Sequence, residues 1–322
     1  MSKRRDWIRA ATAALVAMPI AASAQMAGRV YRVGVLRPNK PGPDGSIVAL
    51  REQGYVEGRN LIVERRFASG HVEQLPGMAR ELVRAKVDLI VAVGSGAVEA
   101  AMAATQTIPI VIFGNFDPVA RGWVASLAKP GGNVTGIVIA PDGTLAGKRL
   151  ELLHEAVPRA SRVALLASDD ASTHAQVRET QSAAAALGLV MVVVEVHDSD
   201  YARAFAAIAA QKADALVVAG TTYFTEDRKQ IIDLAARYRL PATYEWREHV
   251  QDGGLMTYAS SLPALYRRMA HYIDRIFDGA RPADLPIERP TTFELVINLK
   301  TARALGLELP QSLLLRADEV IE

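Results

Sequence analysis

A set of side chains that could bind a small molecule follows the apolar, strand-like runs of this 322-residue chain. Two of them, Ser95 and Thr221, stand between a strand-like run and a helical one, each directly after a glycine. A hydroxyl beside the N–H groups of a helix start suits a carboxylate or another small anion, although the same residue types also serve as simple N-caps. The candidate binding residues are Arg37, Ser95, Asn115, Asp117, Ser168, Thr221, Tyr223, Glu245, Trp246 and Tyr258.

The charged and aromatic candidates match the groups of a zwitterion that carries a ring. Arg37 could join the two hydroxyls in binding a carboxylate, and Asp117 or Glu245 could accept an ammonium group or sugar hydroxyls. Both carboxylates could equally be solvated surface groups. The aromatic candidates could form the walls around an apolar or ring-shaped ligand, although tyrosine and tryptophan are also common core residues.

Sequence motifs that carry out reactions are absent. There is no Gly-x-Ser-x-Gly elbow, no phosphate-binding loop, and no Gly-x-Gly-x-x-Gly after the first strand-like run. The six histidines are scattered without the spacing of a metal site, and the chain contains no cysteine. We therefore predict no catalytic residue, no metal and no cofactor.

The elements that must position the candidates alternate between strand and helix. Short runs rich in valine and isoleucine, with one alternating segment, predict strands at 31–36, 60–67, 88–93 and 109–113. Helical patterns lie between them. Buried strands separated by helices are typical of a parallel sheet that is covered on both faces.

The strand openings of the first part of the chain occur again in the same order further on. The matching pairs, at nearly constant spacing, are 32–36 with 162–166, 86–95 with 212–221, and 109–113 with 241–245. We therefore predict two similar lobes. Because ligands bind beyond the carboxyl ends of the strands in such sheets, two facing lobes would place the candidates across one cleft.

The last part of the sequence contributes further elements to both lobes, so several linkers must connect them and form a hinge. The predicted fold is α/β, with two doubly wound parallel-sheet lobes joined by a multi-strand hinge. We expect the first lobe at 25–138 plus 259–285 and the second at 139–258 plus 286–322.

The first residues have the parts of a secretory signal. Four basic residues precede an uncharged, mostly apolar run over 10–22. The small residues Ala22-Ser23-Ala24 close this run and form the expected cleavage motif. We expect cleavage after Ala24, by the general or the twin-arginine export route, and a mature protein in the periplasm. An amphipathic N-terminal anchor is the alternative.

The export signal also accounts for the basic character of the chain, whose formal net charge is +2 and whose pI is about 8.8. Residues 1–24 carry four basic groups and one acidic group, so removing their net +3 from +2 leaves −1. The later cationic clusters, such as Arg65-Arg66 and Arg267-Arg268, are no longer than pairs. We therefore expect no nucleic-acid partner.

Six segments in chain order resemble the ABC-transporter substrate-binding proteins of the tryptophan/tyrosine-type group. They are VGVL (33–36), GYVEGRN (54–60), DPV (117–119), LAKPGGNVTG (127–136), GKRLELL (147–153) and FELVINLK (293–300), and the resemblance continues to RADEVIE (316–322). It implies a type I periplasmic binding fold and delivery of a small ligand to an ABC permease with a separate ATPase. Related proteins often have glycine before Asp-Pro-Val, whereas this chain has Phe116.

The resulting hypothesis is a monomeric periplasmic solute-binding protein that captures an amino acid or a related small carboxylate, with an aromatic side chain among the options. Three alternatives stay open: a binder of a sugar or an aromatic acid, a sensing protein that presents its ligand to a membrane receptor, and an exported α/β enzyme.

Overall fold

The computed structural model describes residues 29–41, 44–140, 142–168, 173–197 and 199–322. The expected signal peptide at 1–24 lies outside the described residues. Among the residues that are described, no helix combines the length and the apolar character needed to cross a bilayer.

Five parallel strands form the first sheet. They are β1 (Tyr31–Arg37), β2 (Leu61–Phe67), β3 (Leu89–Val93), β4 (Ile110–Gly114) and β5 (Val134–Val138). They lie side by side in the order β2-β1-β3-β4-β5. The last three strands are buried along their whole length, as is typical of the central strands of a parallel sheet, and β3 and β4 consist almost entirely of apolar residues.

Seven strands form the second sheet. They are β6 (Arg162–Ser168), β7 (Val190–Val196), β8 (Ala215–Val218), β9 (Ala242–Tyr244), β10 (Met256–Ala259), β11 (Glu294–Asn298) and β12 (Glu319–Ile321). Their order is β12-β11-β10-β9-β8-β6-β7. One antiparallel pair, β10 with β11, extends this otherwise parallel sheet.

The two sheets share one topology. The order β2-β1-β3-β4-β5 of the first corresponds to β7-β6-β8-β9-β10 of the second. The repeated sequence segments fall on equivalent strands, since β1 corresponds to β6, β3 to β8 and β4 to β9. The prediction of two doubly wound α/β lobes is therefore confirmed.

Helices cover both faces of the two sheets. They are α1 (Gly45–Leu50), α2 (Leu75–Arg84), α3 (Ser95–Ala104), α4 (Thr144–Ala156), α5 (His174–Ala186), α6 (Tyr201–Ala210), α7 (Thr222–Glu226), α8 (Arg228–Arg237), α9 (Arg247–Gln251), α10 (Leu262–Phe277), α11 (Leu299–Leu305) and α12 (Gln311–Leu314). In helix α10 the hydrophobic pattern of the sequence agrees with the observed burial. Its apolar residues recur every three or four positions and are buried on one side of the helix.

The chain crosses between the lobes three times. It leaves β5 for α4, which packs on β8, β9 and β10, and it returns from β10 to α10, which packs on α1 and β5. After α10 the chain is still bound to the first lobe at Glu288, which pairs with Ile137. We propose that the lobes divide at these crossovers, near 138, 259 and 288, which moves the last boundary from 285 to 288.

Candidate ligand-binding site between the lobes

The carboxyl ends of the parallel strands in the two sheets face each other, and the residues that follow equivalent strands meet across an inner cavity. From the first lobe the cavity is lined by residues that include Arg37, Phe113, Asn115 and Phe116, and from the second by Thr221, Tyr223, Glu226, Glu245 and Trp246. Leu262 and Tyr266 of α10 complete the lining. Most of the residues predicted from the sequence thus come together at this place.

Ser95 and Ser168 lie apart from the inner cavity, in an outer cavity between the same two lobes. The two cavities share Tyr223 and Glu226, which therefore stand between them. Ser95 opens α3 with Gly94 as the N-cap, whereas Thr221 is itself the N-cap of α7 and accepts a hydrogen bond from the backbone N–H of Phe224 at 3.1 Å. Simple capping thus accounts for the hydroxyl of Thr221.

Asp117 and Tyr258 line neither cavity. The carboxylate of Asp117 turns back on its own loop, where Oδ1 accepts hydrogen bonds from the backbone N–H groups of Val119 (2.9 Å) and Ala120 (3.0 Å). Phe116, its neighbour, turns toward the cavity instead. Tyr258 packs where the cores of the two lobes meet, with its ring centroid 5.7 Å from that of Phe293. The structure therefore places both residues outside the predicted site.

Polar contacts join the lobes directly across the site. The Asn115 side chain donates to Glu245 Oε1 at 2.6 Å and to the carbonyl oxygen of Gly220 at 3.2 Å. Arg37 Nη2 lies 3.5 Å from Glu226 Oε1, and the backbone N–H of Lys40 donates to Glu226 Oε2 at 3.3 Å. These contacts require the lobes to be close together.

Glu245 is buried, at 5% exposure, and is already contacted by a protein donor. Its Oε1 atom accepts a hydrogen bond from the Asn115 side chain at 2.6 Å. Burial raises the pKa of Glu245, and the positive charge of the buried Arg149 opposes that rise. A carboxylate that is surrounded in this way is a poor acceptor for a ligand ammonium group.

Glu226 is better placed to receive a positive charge. Its side chain remains 27% exposed, at the point where the two cavities meet. Burial raises its pKa, while the neighbouring Arg37 acts in the opposite direction. Sequence reasoning missed Glu226, although a signal existed: it follows Tyr223 by three positions, which places both on one side of a helix.

Aromatic and apolar side chains form the inner wall of the cavity. The ring centroids of Phe113 and Tyr266 lie 5.7 Å apart, and Trp246 is only 3% exposed. Burial raises the pKa of Tyr266 to about 12, so its hydroxyl is neutral at physiological pH. Phe113 and Tyr266 were not predicted, because a strand residue and a residue within an amphipathic helix both resemble ordinary core positions.

The inner cavity brings an aromatic wall together with the charged side chains of Arg37 and Glu226. Within the ranges that the structure describes, no three histidine, aspartate or glutamate side chains come together as a metal site would require.

Comparison with known proteins gives consistent results. The family model described as ABC transporter substrate binding protein matches residues 42–321. A tyrosine-binding protein from Clostridioides difficile (strain R20291) is 26% identical over 265 residues, which are 82% of this chain and 76% of that protein.

Two solved structures resemble most of the chain. An ABC domain from Streptococcus pneumoniae in complex with L-Trp has a TM-score of 0.80 and 25% identity, covering 91% of this chain and 100% of that one. A conserved domain protein from Vibrio cholerae has a TM-score of 0.81 with the same identity and coverage. Together with the match of the family model, the two-lobe fold and the cleft between the lobes, these likenesses establish that the chain belongs to the family of ABC transporter substrate-binding proteins.

Proposed function

We propose that this protein captures a small aromatic amino acid between its lobes and delivers it to an ABC permease that is driven by a separate ATPase. The observation that carries the proposal is the composition of the inner cavity. Aromatic side chains form one wall, and a cation and an anion from opposite lobes, Arg37 and Glu226, face each other 3.5 Å apart. A zwitterion with a ring complements both features.

Each charged group of the ligand has a partner in this scheme. The carboxylate is bound by Arg37, whose guanidinium offers several donors, and the ammonium group is bound by Glu226. Glu245 supports the site from behind rather than touching the ammonium, since it is buried and already accepts a hydrogen bond from Asn115. The ring lies against Phe113, Trp246 and Tyr266.

The similar proteins favour the same class of ligand. One is described as tyrosine-binding, and another was solved in complex with L-Trp. This chain differs from both in about three quarters of the aligned positions. The choice among aromatic side chains is therefore left to experiment.

The setting in which the protein works is part of the proposal. We propose that it is exported, cleaved after Ala24 and active as a monomer in the periplasm, where it binds its ligand without converting it. Mass spectrometry of the mature protein from the periplasmic fraction tests the cleavage position, and an intact N-terminus in that fraction would contradict it.

Isothermal titration calorimetry with matched ligands tests the proposed function. L-Tyrosine, L-tryptophan and L-phenylalanine are compared with tyramine, which lacks the carboxylate, and with 3-(4-hydroxyphenyl)propionate, which lacks the ammonium group. We expect at least one amino acid to bind and each analogue to bind at least tenfold more weakly, because a hydrogen bond to a charged group contributes about 1.5–3 kcal/mol. Binding of glucose alone would contradict the proposal, and equal binding of the propionate would indicate an aromatic acid.

A further inference from the structure

A buried cluster of polar residues joins the lobes behind the inner cavity. We call it the cross-lobe cluster, and it consists of Asn115, Arg149, Gln176, Gly220 and Glu245. Arg149 and Gln176 do not line the inner cavity. We propose that these two are positioning residues: they fix the partners to which Asn115 donates across the cleft, and they thereby control how readily the lobes close.

Asn115 is the contribution of the first lobe to the cluster. Its amide nitrogen donates to Glu245 Oε1 at 2.6 Å and to the Gly220 carbonyl oxygen at 3.2 Å, and both acceptors belong to the second lobe. Asn115 follows β4 and Glu245 follows β9, which are equivalent strands of the two sheets. Their contact therefore forms only when the lobes face each other closely, and it selectively favours the closed form.

Gln176 fixes the peptide that carries one of these acceptors. Its side chain is 2% exposed and pairs with Gly220 on both sides: Nε2 donates to the carbonyl oxygen at 2.9 Å, and Oε1 accepts from the backbone N–H at 2.7 Å. A Cβ on Gly220 would lie 2.4 Å from Glu245 Oε1 and 2.9 Å from Asn115 Nδ2. The close packing of the cluster thus requires glycine at this position.

Arg149 supplies the charge that balances Glu245. It lies on α4, which packs on β9, the strand that ends directly before Glu245, and both residues are buried, at 3% and 5% exposure. From that position its positive charge opposes the rise that burial causes in the pKa of Glu245. A buried charge that loses its partner is strongly disfavoured. Without Arg149, the Glu245 carboxylate would turn toward water or become protonated, and in either case its geometry toward Asn115 would change.

Distance measurements between the lobes test this inference without any ligand. Because the chain contains no cysteine, spin labels can be attached through Arg80→Cys on α2 and Ser182→Cys on α5, both exposed helix positions. The closed fraction is then compared among the labelled parent, R149M, Q176L and the double variant R149M/E245Q. The double variant removes both buried charges and leaves an amide oxygen that can accept from Asn115.

We expect R149M and Q176L to lower the closed fraction at least threefold, and R149M/E245Q to restore it to within twofold of the parent. L150A is the matched control, because Leu150 neighbours Arg149 on α4, is fully buried, and has no polar role. It should lower the melting temperature and leave the closed fraction unchanged. Equal closed fractions in the parent and R149M, or the same loss in L150A, would overturn the inference.

The link to ligand affinity rests on the proposed function and is measured separately. We expect the dissociation constant for the aromatic amino acid that binds the parent most tightly to rise at least tenfold in R149M and to recover in R149M/E245Q. If the parent protein binds none of L-tyrosine, L-tryptophan and L-phenylalanine, the proposed ligand class is wrong, whereas the distance measurements still decide the role of Arg149. If it binds and R149M binds equally well, the positioning role is refuted.

Discussion

Replacing Glu226 by glutamine tests whether Glu226, rather than Glu245, binds the ammonium group of the ligand. The substitution keeps the size of the side chain and an oxygen that can accept from the Lys40 backbone N–H. It removes the negative charge that faces Arg37 at 3.5 Å. Stability should change little, because the side chain is 27% exposed and an ion pair of this kind contributes about 0–1 kcal/mol.

The effect on binding should depend on the ligand. A hydrogen bond between charged groups contributes about 1.5–3 kcal/mol, and 1.4 kcal/mol corresponds to a tenfold change, so E226Q should weaken L-tyrosine binding about 10- to 100-fold. The deaminated analogue, 3-(4-hydroxyphenyl)propionate, should bind with unchanged or higher affinity. Arg37 then no longer has to be shared between Glu226 and the ligand carboxylate.

Calorimetric titration of both ligands against both proteins gives the four dissociation constants that are needed. The factor by which E226Q weakens L-tyrosine binding should be at least ten times the factor by which it weakens binding of 3-(4-hydroxyphenyl)propionate. Equal losses for the two ligands would refute the reasoning, because Glu226 would then act only through Arg37. No loss for either ligand would place the ammonium elsewhere.

Three further predictions concern residues outside the inner cavity. D117N should leave the dissociation constant for L-tyrosine within twofold of the parent, because the Asp117 carboxylate bonds to its own loop; a tenfold loss in calorimetry would return Asp117 to the site. G136A should destabilise the protein by about 3 kcal/mol or more in urea unfolding, since φ of Gly136 is +138° and a Cβ would lie 2.3 Å from the carbonyl oxygen of Ile112; a loss below about 1 kcal/mol would contradict this. The Arg268 hydrogen bond lowers the pKa of Glu288 below its usual value of 4.5, so the pair stabilises the fold at neutral pH and that contribution is lost as pH falls through the lowered value. E288Q should therefore be about 0.5–1 kcal/mol less stable than the parent at pH 7, and this difference should shrink steadily as the pH is lowered through the acidic range; a constant difference in melting curves across the whole range would refute the linkage.

The repeated strand openings are enough to predict much of the fold. Strand cores rich in valine and isoleucine predict buried parallel strands wherever they occur, and the apolar stripe of 262–277 predicts a helix with the bounds that the structure has. The antiparallel pairing of β10 with β11 was not predicted. Strand direction depends on which edge of the sheet a returning segment can reach, and local sequence does not encode that.

The candidate site also contains residues that local sequence reveals and residues that only tertiary packing reveals. Residues placed directly after strands, such as Asn115 and Glu245, were found from the sequence because the end of a strand is visible as a local pattern. Asp117 was assigned to the cleft because it also follows β4, yet its distance from the strand end lets the loop satisfy its carboxylate locally. Glu226 and Tyr266 reach the cavity from helices, and only helix packing determines which of their faces points inward.

The sequence by itself determined that this chain forms two related α/β lobes and that polar residues end the strands of both. These are properties of hydrophobic periodicity and of turn chemistry, which act over a few residues. Only the tertiary structure decided that Asn115 meets Glu245, that Arg149 lies buried behind them, and that Arg37 faces Glu226. Those partners come from opposite lobes or distant helices, so their encounter depends on how the chain crosses between the lobes and how closely the lobes approach.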